Sequence, residues 1–342
     1  MFRKTLPLIL AACALTVFAA PAMAVSGAGA IALEFPVGAR YNALGEAGTA
    51  LSQDVTSMWW NPGGLAFATG NGKASKRAHV MQSKLVPDLA DDIAIYWAGY
   101  ATESFGGTLG LNLTYLAMGS QEATNDAGEV IGTFDSNSWA FGLNYGTRIT
   151  PNLGVGMGVK YFRDNLAPDE FTQDQTGGQG STFAVDMGLL WKVPSLKSNI
   201  GVAISNLGPN ITHVDADQSD PLPRKMTVGI ARSLYQSELM SVLFVGDMLV
   251  PLLDWNTDAD DYGIGLDFGE NEFGVGVEWS YDSSLFVQFG YKKGTGDIED
   301  STYGFGLDLE KWVGSAITFG FASVPQAKGL ERVTRFSLGY DF

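Results

Sequence analysis

From about residue 74 onward the chain alternates large apolar residues with small ones at a period of two, the spacing that sends successive side chains to opposite faces of a strand. Leu109, Leu111, Leu113 and Tyr115 share one face, and Gly110, Asn112 and Thr114 the other. Trp139, Phe141, Leu143 and Tyr145 oppose Ala140, Gly142, Asn144 and Gly146, and Val155, Met157 and Val159 oppose Gly154, Gly156, Gly158 and Lys160. The same split recurs over Phe273 to Trp279 and Tyr303 to Leu309. A soluble sandwich would turn its apolar face inward and solvate the other. Here the other face is mostly glycine and alanine with scattered charge, too small for a solvated exterior, and it fits the inside of a tube packed against something. Aromatic residues stand near strand ends, at Tyr115, Tyr145, Tyr161, Trp191, Trp279 and Tyr291, where amphipathic rings favour a membrane interface. The pattern predicts an all-β membrane protein, an antiparallel transmembrane β-barrel with its apolar residues facing lipid.

Candidate strands fall at about 74–84, 92–101, 107–118, 137–148, 153–163, 181–191, 198–206, 224–232, 239–250, 272–280, 284–293, 302–310, 314–322 and 332–342. That makes fourteen, an even number that returns both termini to one side. Tyr262 to Phe268 also alternates and is assigned to a long connection. With a periplasmic start, the connections near 102–106, 149–152, 192–197, 233–237, 281–283 and 311–313 are periplasmic and short. Those near 119–136, 164–180, 207–223 and 251–271 are extracellular and long, the asymmetry of bacterial barrels.

Composition supports that class. The chain carries 43 glycines and 12% aromatic residues, and its formal net charge of −16 argues against a nucleic-acid partner. No apolar run after the leader is long enough for a membrane-spanning helix. Met1 to Ala24 reads as a signal peptide: Arg3 and Lys4, an apolar run to Ala20, then Ala22-Met23-Ala24 as the cleavage site. A lipoprotein site at Cys13 would leave too short an apolar region before it. Cleavage after Ala24 removes the single cysteine, so the mature chain has no thiol for a disulfide, nucleophile or metal. The expected divisions are a signal peptide over 1–24, a plug over 25–72 and a barrel over 73–342.

Between leader and first strand, Gly38 to Ala66 looks helical rather than alternating. Ala43, Ala47 and Ala50, with Gly45 and Gly48 between them, would give a short, thin-sided helix suited to lying against a wall. Asp54 is expected to cap a second short helix ending at Trp60, because a carboxylate accepts from the free amides of a first turn. Pro62 should stop it by forcing Asn61 out of the helical region, and Gly63-Gly64 supply a tight turn. A barrel of this size needs its lumen filled, and this segment is the obvious filler of the periplasmic half. Arg40 buried there would need a carboxylate, for which lumen-facing Asp186, Glu278 and Asp308 are candidates.

The run Gly38-Ala39-Arg40, then Leu44-Gly45-x-Ala47, then Asp54, then Trp60-Asn61-Pro62-x-Gly64-Leu65-Ala66 resembles the amino-terminal signature of the PorV/PorQ family of outer-membrane barrels, whose fold is similar to FadL-type transporters. Gly63 stands where that family usually has alanine. The resemblance implies a plug motif of Gly38, Arg40, Gly45, Asp54, Trp60, Asn61, Pro62 and Gly64 in a Gram-negative outer membrane. It implies a role in type IX secretion, with secreted cargo or a surface protein complex as partner. The alternative within the same fold is FadL-like uptake of long-chain fatty acids or other hydrophobic molecules. Phe336, Leu338, Tyr340 and Phe342 end the chain in the manner of the signal read by the barrel assembly machinery.

Catalytic patterns are thin. His79 and His213 lack acidic neighbours at ligand spacing, no Ser-His-Asp or paired-carboxylate pattern stands out, and the Gly154 to Gly158 run lacks a strand-to-helix phosphate-loop context, so neither enzyme activity nor a metal or cofactor is expected. Acidic clusters at Asp88, Asp91 and Asp92, at Asp254, Asp258, Asp260 and Asp261, and at Asp297, Glu299 and Asp300 suit a solvated surface better than calcium. Basic Arg148, Lys192, Lys197, Arg232 and Lys311 collect at the opposite end.

Overall fold

The computed structural model describes residues 29–70, 74–125, 127–171, 178–213, 219–252, 271–294, 298–326 and 330–342. The proposed leader, Cys13, Tyr262 to Phe268, the acidic run from Asp254 to Asp261 and Asp297 lie outside them. Fourteen antiparallel strands, each paired with its sequence neighbours, close into a barrel when the first meets the last. They are β1 Lys76–Lys84, β2 Ile93–Ser104, β3 Gly107–Thr124, β4 Val130–Thr150, β5 Leu153–Ala167, β6 Gly178–Val193, β7 Ser198–Leu207, β8 Lys225–Gln236, β9 Met240–Pro251, β10 Glu272–Tyr281, β11 Leu285–Lys293, β12 Glu299–Asp308, β13 Ile317–Val324 and β14 Val333–Asp341. Closure runs through pairs such as Val80↔Leu338 and Gln82↔Phe336.

The faces divide as the alternation demands. Leu111, Leu113, Phe141, Leu143, Val275, Phe305, Phe336, Leu338 and Tyr340 are exposed on the outer wall, whereas Gly142, Gly274, Gly276, Gly304, Ser337 and Gly339 beside them are buried. An apolar band of this extent belongs in hydrocarbon, and the chain is a transmembrane β-barrel by architecture.

Several strand boundaries differ from the sequence reading, the β3–β4 connection most of all. The connection placed at 119–136 shrinks, because β3 runs to Thr124 and β4 starts at Val130, so this hairpin stands above its neighbours. The last short connection contains a one-turn helix, Glu310–Val313, ended by Gly314 in the left-handed region.

The amino-terminal segment is less helical than expected. A helix covers only Ala39–Ala43. Gly45 at φ +75° and Glu46 at φ +60° turn the chain out of it, so Ala47 and Ala50 are buried without being helical. Gly45 has a second reason to lack a side chain: a Cβ there would lie 2.5 Å from the Val275 carbonyl of the wall. A second helical turn, Ser57–Trp60, is preceded by Thr56 with no side-chain cap. Asp54 does not cap it, because its carboxylate accepts instead from the Thr56 amide at 2.8 Å, the Thr56 hydroxyl and the Tyr41 hydroxyl. Asn61 is extended at φ −166°, and Pro62 opens a 3-10 run, Pro62–Phe67, where a tight turn was expected. The Asn61 side chain accepts from the Gly63 amide, fixing that entry.

Candidate functional site

The site is the lumen, and the segment from Gly29 to Gly70 makes a circuit of its wall. The Gly29 amide donates to Pro221 O at the long-loop end. Helix Ala39–Ala43 lies against β11 to β14, and the Ala39 amide donates to Ser337. The chain then crosses β9 to β11, where the amides of Gly48 and Thr49 both donate to Asp247, at 2.9 and 2.8 Å. Met58 reaches β2 and β3, Pro62–Phe67 lies on β4 to β6, and Thr69 meets Thr108 at the short-turn end. The segment thus spans more of the lumen than the periplasmic half assigned to it from sequence.

Close approach depends on the glycine face of the strands. A Cβ on Gly276 would stand 2.6 Å from the Leu44 carbonyl, and one on Gly154 2.6 Å from the Gly63 carbonyl. With backbone against backbone, polar groups must find partners at the contact. The Gly45 amide donates to Thr302, which donates on to Ala43 O; Trp60 Nε1 donates to Val37 O at 2.9 Å. Asn61 Nδ2 donates to Thr49 O at 2.8 Å and to Leu189 O of the wall at 3.0 Å. The remaining signature glycines serve the same packing: the Gly38 amide faces Met81 Sδ, and Gly64 leaves no space for a Cβ against Ser52 O.

Charges fasten the segment to the wall. Of the three carboxylates named for Arg40, the fold brings Glu278: Arg40 Nε donates to its Oε2 at 2.7 Å and Nη2 to its Oε1 at 2.6 Å, with Gln288 donating to Oε2 at 3.0 Å. Asp186 and Asp308 do not reach Arg40. Asp186, on β6, is held by Lys160 at 2.7 Å and by the Asn206 amide. Asp308, at the short-turn end of β12, accepts from the Glu310 amide. The Arg40 guanidinium is raised above its ordinary value, since its partial burial opposes the charge and the attraction of Glu278 outweighs that effect.

A second fastening was missed from sequence. Lys292 reaches Glu46 at 2.5 Å, and Arg335 donates to Pro36 O at 2.6 Å and to Asn42 Oδ1, with Glu46 at 4.0 Å. The Glu46 carboxyl is held below its ordinary range: burial pushes it up, and the Coulomb attraction of Lys292 and Arg335 more than reverses that. Asp54 is also lowered, burial being outweighed by the field of His79 and by its hydroxyl donors. Lys292 and Arg335 could have been suspected as charges on the glycine face of their strands, whereas Asp247 shares its inward face with Leu243 and Val245. Nothing local in the sequence pairs them with Glu46 or Gly48.

Over the long-loop end, the described parts of the β7–β8 connection fold inward. Asn206, at φ +63°, starts the turn; its amide donates to Asp186, its Oδ1 accepts from Lys160 and its Nδ2 donates to Pro223 O. Ile211 and Leu222 are fully buried, His213 Nε2 lies 3.1 Å from Asp164, and Arg224 donates to Gly208 O and Asn210. His213 therefore does have an acidic neighbour, supplied by β5 and invisible in the linear spacing. Phe336, Leu338, Tyr340 and Phe342 lie exposed on the outer wall or at its edge, on the face of β14 opposite to Arg335 and Ser337. Among the acidic groups, Asp91 pairs with Lys84 and Asp300 with Arg332.

The family described as type IX secretion system protein PorV matches residues 24–251. None of the curated proteins matches the chain. Among solved structures, the CymD monoaromatic hydrocarbon channel is similar at 14% identity and a TM-score of 0.57, over 90% of this chain and 97% of that one. The Pseudomonas putida toluene transporter TodX is similar at 13% identity and a TM-score of 0.54, over 89% of this chain and 96% of that one. At such identity the likeness is one of fold.

Proposed function

Since the chain belongs to the PorV family of type IX secretion proteins, we propose that it is a non-enzymatic barrel of a Gram-negative outer membrane that holds or hands on exported proteins at the cell surface. The observation that carries this reading is the manner in which the lumen is filled. A plug seated through amides on Asp247, a bidentate Arg40–Glu278 pair and the Glu46–Lys292–Arg335 cluster is built to stay. Its roof, the inward-folded β7–β8 connection, leaves the long-loop rim as the surface offered to a partner. Insertion would follow the barrel assembly machinery reading the final strand, and the surrounding partner is outer-membrane lipid.

A second reading, uptake of long-chain fatty acids or other hydrophobic molecules, draws on the fold shared with the hydrocarbon channels. Such a path needs an opening in the wall, and ladders join every neighbouring pair of strands here. A pull-down from outer membranes in mild detergent tests the first reading. Recovery of secretion components or an exported protein is expected; recovery of hydrophobic small molecules alone, with growth on fatty acids restored in a strain lacking its own transporter, would replace it with the second.

A further inference from the structure

The outer wall carries a groove of about 660 Å³ across β3 to β7, where Leu143, Val155, Met157, Val159, Val202 and Ile204 face lipid. Its floor is formed by Gly156, Gly158 and Gly188, so at this place the wall is only a backbone thick. On the inner side of the same floor stands the plug: a Cβ on Gly156 would collide with the Pro62 carbonyl, and one on Gly188 with the Asn61 side chain. Asn61 Nδ2 donates to Leu189 O, and the Leu189 side chain lines the groove on the other side. The depression and the seat of the Asn61-Pro62-Gly63 turn are two faces of one stretch of backbone.

A concavity in a lipid-facing wall does not stay empty, because an unfilled apolar hollow forfeits dispersion contacts along its whole lining. From Val155 to Val159 it extends about 13 Å along the strand at ~3.3 Å per residue, which at the ~40° tilt of barrel strands covers about 10 Å of the ~15 Å depth of one leaflet of a bilayer core. Two flexible thioethers, Met157 and Met187, let the lining adapt to a chain of varying kink. We propose that this groove is a binding site for one acyl chain of a membrane phospholipid, and that its occupancy steadies the plug turn on the opposite face of the wall. The site is independent of whether the long loops handle secreted proteins.

The test uses the full mature barrel in nanodiscs of phosphatidylethanolamine and phosphatidylglycerol. Val202 points outward into the groove, and Val202→Trp would fill it; Val287→Trp, on the exposed outer face of β11, is the control. After transfer to mild detergent, native mass spectrometry should find one retained phospholipid on the parent and on Val287→Trp, and at least fivefold less on Val202→Trp. Hydrogen exchange over 61–67 should slow in lipid relative to a bulky rigid detergent for the parent. Should Val202→Trp fail to fold, Val159→Trp provides the same occlusion from β5. Equal retention by the groove variants and the control would overturn the site, as would retention of a fatty acid, hydrocarbon or peptide in place of a phospholipid. Lipid retention without any change in exchange at the turn would overturn the coupling.

Discussion

Removing Arg40 should loosen the plug far more than neutralising its partner, and the structure fixes the sign of that asymmetry. In Arg40→Ala, Glu278 keeps only Gln288 as a donor, and its side chain is 5% exposed, so a carboxylate is left buried without a counter-charge. In Glu278→Gln, the orphan is Arg40, whose side chain is 39% exposed and can take its hydration from the lumen. Orphaning a buried charge costs about 3 to 5 kcal/mol, and we take ~3 kcal/mol for Arg40→Ala because the pair is open to water on one side. For Glu278→Gln, a lost charge-assisted bond with its cation still solvated costs about 1 kcal/mol. At about 1.4 kcal/mol per decade, amide exchange over 39–44 should accelerate roughly a hundredfold in Arg40→Ala and about fivefold in Glu278→Gln. The double variant removes the stranded charge and should resemble Glu278→Gln. Hydrogen exchange by mass spectrometry on the reconstituted barrel reads all three. Equal acceleration by the two single variants, or a double variant as fast as Arg40→Ala, would refute the reasoning.

Three further outcomes follow from the same contacts. Gly276→Ala sets a methyl 2.6 Å from the Leu44 carbonyl, so plug and wall must part; a loss of about 1 to 3 kcal/mol is expected, whereas Gly106→Ala, with open space around it, should cost only the strain of its positive φ. The plug should loosen in acid: Glu46 and Asp54 titrate below their ordinary values of 4.5 and 3.8, so the stability they contribute is complete above those values and is lost as the pH falls through the lowered ones. Proteolysis of the plug against pH should therefore show its steep rise below about pH 4; the absence of a rise there would contradict the assignment. Asp186→Asn weakens the hold of Lys160 on Asn206, and exchange in 208–213 should increase while that in 39–44 stays unchanged.

Much of this architecture could be read from alternation alone, because a lipid-facing strand must place large apolar residues at every second position and a packed lumen must place small ones between them. Gly154, Gly156 and Gly276 are legible as wall for that reason. The interior of the plug was harder to read. Leu44 to Ala50 has the composition of a helix, yet the amides of Gly45, Gly48 and Thr49 go to Thr302 and Asp247, partners more than 190 positions away. Asp54 resembles a cap in sequence and becomes an acceptor for Tyr41 and Thr56 only once the segment is folded back on itself. Lumen-facing direction alone could not distinguish Glu278 from Asp186 and Asp308, since what separates them is position around the barrel. Lys160 claims Asp186 from the neighbouring strand, and that pairing depends on register.

The central claim is that residues 29–70 cork a closed, lipid-embedded cylinder, and ion conductance measures it most directly. The mature protein, inserted in a planar bilayer and counted by an attached fluorophore, should pass essentially no steady current, and Arg40→Ala should show intermittent openings as the plug unseats. A large steady conductance from the parent protein, of the size an unobstructed fourteen-stranded barrel would give, would contradict the account.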